Sequence, residues 1–400
     1  MNKTASVILG KERVAAVRRP LAEANGLPSL AYTSDEFFNL EQQKFFRRSW
    51  MAVAFTGELP DVGDAMPVEV ADLPLLLLRD SNGEIQAFHN ACRHRGMMVL
   101  PTACKQLKHV RCPYHAWTYG LDGQLNRAPF FDGTATGNAD QRLDGVGLVP
   151  VRCAVWHHWI FVNVDGNAPP IEQHMAPYME FMNQPLIDQL AYAEHIEWEY
   201  EANWKLAPDN WENYHHPWVH DGVFERLADD IDMKTGEPWS AALSSESVLT
   251  LRRIVENAPP YHFKHTGLPK IPFPEGSERI TAPSYILPNL EIAMVWDNVS
   301  SIIYQPLSPT RTRVKLASIF HQDAASADEH AEGRSITMDR WLGPSRSIDG
   351  NDGVRNQDFA VFAKQQVAKR SPVADVTVFS SVWEQNVHYF QNRLLDYLEA

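Results

Sequence analysis

The spacing of apolar positions changes along the chain, and each change predicts a different element. Residues 34–50, SDEFFNLEQQKFFRRSW, set Phe37, Phe38, Leu40, Phe45 and Phe46 among polar positions behind Ser34. This predicts an amphipathic helix with Ser34 as its N-cap. Residues 1–33 show no sustained period and are expected to form an irregular leader. Further on, Asn82-Gly83 separates VEVADLPLLLLRD from EIQAFHN, and Asp122-Gly123 separates AWTYGL from QLNRA. Both dipeptides favour tight turns between strands. The strand-like run HHWIFVNVDG (157–166) ends in Asp165-Gly166, and with Pro169-Pro170 it marks a boundary. Beyond it, strands are expected in SYILPNLEIAMVW, SSIIYQPL and RVKLASIF, with helices near 206–216, 354–370 and 376–397. Residues 257–283, rich in Pro, Gly and Lys, predict a long loop. The sum is an α+β fold in three parts: an N-terminal leader and helix (1–48), an all-β unit (49–166), and an α+β unit with an antiparallel sheet and helices (167–400).

Composition narrows the function classes. A chain of 400 residues with 44% hydrophobic and 10% aromatic positions can bury substantial cores. The formal net charge of −14 argues against a nucleic-acid partner, whose phosphates need a basic surface. The apolar run Ala5 to Gly10 is too short for a signal-peptide core and is followed by KER. Leu75 to Leu78 is far short of the ~20 residues that span a bilayer. No membrane contact is expected, and four cysteines do not make a secreted disulfide framework, so the expected location is cytoplasmic.

The four residues Cys92, His94, Cys112 and His115 carry the first chemistry. Cys-x-His, seventeen intervening residues and Cys-x-x-His form a ligand pattern for a Rieske [2Fe–2S] cluster. One iron of such a cluster takes two thiolates and the other two imidazoles, which raises the potential to roughly −150 to +300 mV. Structural zinc is the competing use of two Cys and two His, but its usual arrangement groups like ligands together, whereas here each loop carries one of each. Cys104 and Cys153 fall outside the pattern and are expected to be buried spectator thiols. A second constellation lies in NWKLAPDNWENYHHPWVH (203–220), where Glu212, His215 and His220 are spaced Glu-x-x-His-x-x-x-x-His. At about 100° per residue an unbroken helix would displace His220 by roughly 140° from His215. Pro217 between them is expected to kink or end the helix and let His220 swing back. Two imidazoles and one carboxylate on Fe(II) leave positions open for dioxygen.

The stretches NACRHRG and RCPYHAW resemble the Rieske ferredoxin domains of ring-hydroxylating oxygenases, and the Glu-x-x-His-x-x-x-x-His spacing resembles the mononuclear-iron motif of Rieske non-haem iron oxygenases. The resemblance is to the catalytic (alpha) subunit and covers about residues 35 to 398. It implies a carboxylate ligand near the C-terminus, on an acid that opens a helix. Asp358 is the choice, because Phe359, Phe362, Ala363 and Val367 after it follow helical spacing. Asp349 and Asp352, in the loop IDGNDG, are the competitors. For Glu212 the resemblance implies an inter-subunit bridge that joins His115 of an adjacent chain to His215. The chain is one residue shorter than many relatives between Asp209-Asn210 and Glu212, which leaves the roles of Asp209 and Asn210 open between helix packing and support of the site.

The resemblance also implies the activity. Electrons pass through the Rieske cluster to the mononuclear Fe(II), where dioxygen is used to hydroxylate a small organic, expectedly aromatic, substrate. The alternative within the family is monooxygenation with N- or O-demethylation, including quaternary ammonium substrates, which aromatic side chains can bind through cation–π contacts. A pure Rieske electron carrier is the reading from a different class, and it would need no second iron site. Electrons originating in NAD(P)H are expected from a separate flavin-containing reductase, with or without a ferredoxin, since two remaining cysteines are too few for a plant-type cluster and no G-x-G-x-x-G fingerprint is present. A homotrimer, or a multiple of it, is the implied assembly.

Overall fold

The computed structural model describes residues 3–135, 140–179, 187–212, 240–254, 266–271, 280–281, 283–295, 297–342 and 353–400. The chain divides into two compact units, Phe46–Ile171 and a second made of Met1–Phe45 with Glu172–Ala400.

The first unit is β-rich. Its strands are β1 (Met51–Phe55), β2 (Ala65–Val70), β3 (Leu73–Arg79), β4 (Ile85–His89), β5 (Val110–Arg111), β6 (Thr118–Tyr119), β7 (Leu125–Arg127), β8 (Pro150–Trp156) and β9 (Trp159–Asn163). Six of them form an antiparallel sheet in the order β1-β9-β8-β4-β3-β2, and β5-β6-β7 form a small sheet. Leu75 to Leu78 are fully buried on both faces of β3, each burial worth about 1.5–3 kcal/mol. Leu76 and Leu78 point into a core that contains Cys92 and Cys112. Both predicted turns form. Asp80 Oδ1 accepts from the N–H groups of Asn82 and Glu84 and holds Gly83 at φ +84°. Gly123 sits at φ +78° against the ring of Phe88, with no room for a Cβ.

The second unit is α+β. Its strands are β10 (Leu190–Tyr200), β11 (Ser240–Ser245), β12 (Val248–Ile254), β13 (Ile280–Thr281), β14 (Ser284–Ile286), β15 (Leu290–Val295), β16 (Asn298–Ser308) and β17 (Arg311–His321). They form one antiparallel sheet in the order β10-β17-β16-β15-β14-β12-β11, with β13 paired to β12. Helix Val354–Ala368 lies on β10 through Phe359, whose ring stacks 5.0 Å from Tyr200 and meets Trp198 edge-on at 5.3 Å. Helix Gln385–Glu399 buries Val387, Phe390, Leu394, Leu395 and Leu398 as a helical stripe.

Several predicted boundaries change. Residues 1–33 are not irregular: Ala5–Leu9 and Lys11–Val17 are helices that bury Ala5, Leu9, Val14 and Val17 and pack on helix Gln385–Glu399. Helices of five and seven residues are too short to show a period, and they are held by tertiary contacts. The predicted 34–50 helix is Asp35–Glu41, capped by Ser34 accepting from Phe37 N, and it widens into a π-turn over Gln42–Phe46. The last helix begins at Gln385 and not near 376. Most of the 257–283 loop lies outside the described residues.

A buried ion pair ties the N-terminal segment to the stretch that begins at Asn203. Lys205 donates to Glu41 Oε1 at 2.7 Å, Trp204 Nε1 donates to Glu41 Oε2 at 3.2 Å, and all three side chains have no solvent exposure. Burial pushes the Glu41 carboxyl up and the Lys205 amine down, against the pull of each on the other. The rings of Tyr32, Phe37 and Trp204 stand 5.2–5.5 Å from the ammonium. Removing one partner leaves the other charge buried alone. Lys205→Met is therefore expected to lower the unfolding free energy by about 3–5 kcal/mol in chemical denaturation. Adding Glu41→Leu should recover part of the loss, incompletely because the Trp204 indole then has no acceptor.

Candidate functional site

The first candidate centre is built from two loops with the same backbone plan. In the loop after β4, Cys92 N donates to Met97 O at 2.8 Å and Gly96 N donates to Cys92 O at 2.9 Å. In the loop between β5 and β6, Cys112 N donates to Trp117 O at 2.8 Å and Ala116 N donates to Cys112 O at 3.1 Å. Each loop turns through a left-handed residue four positions after its cysteine, Gly96 at φ +73° and Ala116 at φ +56°. Asn90 closes the first loop: its Oδ1 accepts from Val99 N and Leu100 N, and its Nδ2 donates to Leu100 O.

These loops bring the four predicted ligands together. Cys92 and Cys112 are buried at 4% and 2% exposure, and the His94 and His115 rings lie 4.6 Å apart. Trp117 stacks on His94 at 4.9 Å, and Phe131 closes its edge. Burial, then the nearby His115 and Arg95, lowers the pKa of His94 and favours the neutral imidazole that binds metals. Burial raises the Cys112 thiol, which would lose its proton on metal binding. The residues fit the cluster at one further point: His94 Nδ1 is buried and has no hydrogen-bond partner, as a nitrogen reserved for a metal would be. Among the described residues no three His, Cys, Asp or Glu side chains are arranged to hold a single ion, and a cluster with two protein ligands on each iron requires none.

Tyr119 is a site residue that the ligand pattern did not signal. Its hydroxyl accepts from Arg93 N at 3.0 Å and lies 3.2 Å from Cys92 Sγ, to which it would donate once that sulfur is a thiolate ligand. Cys104 and Cys153 are half-buried, short of the full burial expected of them, and desolvation pushes the Cys153 thiol up to about 12.

The second candidate centre is described in part. Asp358 is 5% exposed and lies in the second turn of helix Val354–Ala368, one turn further in than an acid that opens a helix; Gly353 is the N-cap. The buried stripe runs through Phe359, Phe362 and Gln366, because Val367 has rotated off it and is 60% exposed. Asn210 Nδ2 donates to Asp358 Oδ1 at 3.0 Å, and Arg355 Nη1 is 3.7 Å from Oδ2. Arg355 also pairs with Glu291, a 1%-exposed acid on β15 that accepts from Tyr304 Oη at 2.8 Å. Burial pushes the Glu291 carboxyl up and Arg355 pulls it down. The predicted 206–216 helix is a single turn, Leu206–Asp209, closed by Asn210 N on Ala207 O and Trp211 N on Pro208 O. Glu212 follows it, half-buried. His215, His220, Asp349 and Asp352 lie outside the described residues.

With this geometry in place, the comparisons with known proteins can be read. Residues 49–137 match the Rieske [2Fe-2S] domain, and residues 187–400 match the ring hydroxylating alpha subunit (catalytic domain). The two units thus define a Rieske oxygenase alpha subunit, and the chain belongs to the ring-hydroxylating alpha-subunit family. It is similar to the glycine betaine monooxygenase oxygenase subunit of Pseudomonas aeruginosa, with 29% identity over 240 residues, 58% of this chain and 55% of that protein. It is also similar to the carnitine monooxygenase oxygenase subunit of Escherichia coli K12, with 33% identity over 210 residues, 50% of this chain and 54% of that one. The chain spans about half the length of these curated relatives. The fold matches a crystal structure of naphthalene 1,2-dioxygenase from Rhodococcus with a TM-score of 0.76 and 20% identity, covering 98% of this chain and 99% of that one. Among the described residues no helix is long and apolar enough to cross a membrane.

Cys112→Ala is expected to abolish the visible absorption of the cluster and its electron-resonance signal in the reduced protein; a variant that keeps both would overturn the ligand assignment. Tyr119→Phe should keep the cluster and lower its potential in a redox titration, because a hydrogen bond to ligand sulfur favours the more negative reduced state.

Proposed function

We propose that this chain is the terminal oxygenase component of a system that inserts oxygen from dioxygen into a quaternary ammonium substrate. Cys92, His94, Cys112 and His115 hold the [2Fe–2S] cluster; His215, His220 and Asp358 hold a mononuclear Fe(II); Glu212 bridges the cluster of one subunit to the iron of the next within a homotrimer or a multiple of it. The observation that carries the reading is the pair of matching Cys–His loops on one unit together with a ring-hydroxylating catalytic match on the other. A mononuclear iron held by His215, His220 and Asp358 would supply the activation of dioxygen. The chain's own part is to hold the ligand carboxylate: Asn210 and Arg355 orient Asp358, and the aromatic packing of Phe359 on Trp198 and Tyr200 seats its helix.

The relatives named for glycine betaine and carnitine support the quaternary ammonium reading over an aromatic substrate, since likeness to naphthalene dioxygenase at 20% identity speaks to fold alone. The aromatic character of this unit agrees. Trp211, Tyr285 and Tyr304 form a buried run of rings at 5.7 and 5.6 Å spacing beside the Glu291–Arg355–Asp358 chain, and ring faces attract a cation that cannot be hydrated through hydrogen bonds. Hydroxylation of a carbon bonded to the nitrogen would take one atom of dioxygen and send the other to water with two electrons and two protons; the resulting carbinolammonium expels a tertiary amine, releases a proton and leaves a carbonyl compound. Electrons would reach the cluster from NAD(P)H through a separate flavin-containing reductase, with or without a ferredoxin, and both relatives are named as oxygenase subunits.

Incubation with labelled dioxygen, a reductase and a panel of trimethylammonium acids and arenes tests the substrate class. Labelled carbonyl product and a tertiary amine are expected; a hydroxylated arene with no amine turnover would restore the aromatic reading. His215→Ala, His220→Ala and Asp358→Ala should each abolish turnover, keep the Rieske spectrum, and lower iron from about three to about two per chain. Full activity in Asp358→Ala would move the carboxylate to Asp349 or Asp352. Glu212→Gln removes charge and accepting capacity between two imidazole donors. It should leave cluster reduction normal and slow reoxidation by dioxygen in single turnover by orders of magnitude.

A further inference from the structure

We propose that Asn210 is a positioning residue for the iron carboxylate Asp358, and that a clasp of Tyr32, Asp209 and Gln391 sets where Asn210 stands. The inference rests on the reading of Asp358 as the ligand. Two imidazoles and a carboxylate are a donor set suited to Fe(II), and on that reading Asp358, 5% exposed, supplies the carboxylate.

Asn210 closes the one-turn helix Leu206–Asp209 at φ −83° and ψ 0°. Its amide spans to a different helix, with Nδ2 3.0 Å from Asp358 Oδ1. That bond takes up one accepting direction of the carboxylate, and Arg355 at 3.7 Å stands beside the other oxygen. Rotation of the carboxylate about Cβ–Cγ would break the first and strain the second.

Asn210 is itself fixed by its neighbour. Both oxygens of Asp209 are occupied: Tyr32 Oη donates to Oδ2, and Gln391 Nε2 donates to Oδ1 at 2.8 Å. Tyr32 is 1% exposed and Gln391 3%. They come from the N-terminal segment and the last helix, and Gln391 Nε2 also reaches Tyr32 Oη at 3.3 Å. Residues at the two ends of the chain therefore hold the turn from which Asn210 reaches the ligand. Partners that orient metal ligands are worth about 10–100-fold in metal affinity when removed.

The test uses the full chain with its Rieske cluster, stripped of mononuclear iron by a chelator and titrated with Fe(II). Asn210→Leu is expected to bind Fe(II) about 10–100-fold more weakly, and the electron-resonance signal of its ferrous–nitrosyl form should change in rhombicity while the Rieske signal stays. Asn210→Gln, which keeps an amide, should recover part of the affinity, and Gln391→Leu should show a smaller loss in the same direction. If Asn210→Leu does not fold, Asn210→Ala removes the same donor and leaves room for the backbone. Wild-type affinity with an unchanged nitrosyl signal in the variant that folds overturns the proposal. Asp358→Ala in parallel separates the two levels: if it loses iron while the Asn210 variant does not, only this inference fails; if it too keeps iron, the ligand reading itself fails.

Discussion

Buried polar groups must find partners, and in the catalytic unit that requirement organises the segment from Asn203 to Asn210. Asn203 N donates to Gln366, and its Nδ2 donates to carbonyls of Tyr32 and Pro309. Trp204 and Lys205 share Glu41; Asp209 takes Tyr32 and Gln391; Asn210 takes Asp358. Five residues of this eight-residue stretch thus reach the N-terminal segment, the strand region and both late helices. An unmet buried donor costs about 1–3 kcal/mol, so loss of any one partner would be felt across the others. Trp211 and Glu212 follow directly from this anchored stretch.

The β-rich unit solves a different problem, since it must keep two thiols and two imidazoles in register without a long element behind any of them. It repeats one turn. Each cysteine closes a six-residue loop through its own N–H and a five-residue turn through its carbonyl, and each histidine lies inside that loop. The cysteines sit in the core while His115 is exposed at the surface. Burial of the sulfur side limits solvent and raises the value of the Tyr119 hydrogen bond, because electrostatic contacts strengthen where water is excluded.

The Cys–His loops of the Rieske domain, the hairpin turns at Asn82-Gly83 and Asp122-Gly123, and the strand-rich stretch from 284 to 321 were legible in the sequence because each is a local matter: fixed Cys–His spacing, a positive φ two residues before a strand, or a run of β-branched and aromatic residues. The helix Val354–Ala368 was also legible, though not the depth of Asp358 within it. By contrast, Tyr119 is an ordinary strand tyrosine until the fold places its hydroxyl on Cys92. The leader had no readable pattern because helices of five and seven residues gain their stability from the last helix, some 370 residues away in sequence. The partners of Glu41, Asp209 and Asp358 are likewise separated by 148 to 182 residues. Sequence determines which groups are available and how neighbours along the chain can turn; only the tertiary structure decides which distant groups meet, because a buried charge or donor takes whatever partner the packing brings within hydrogen-bond reach.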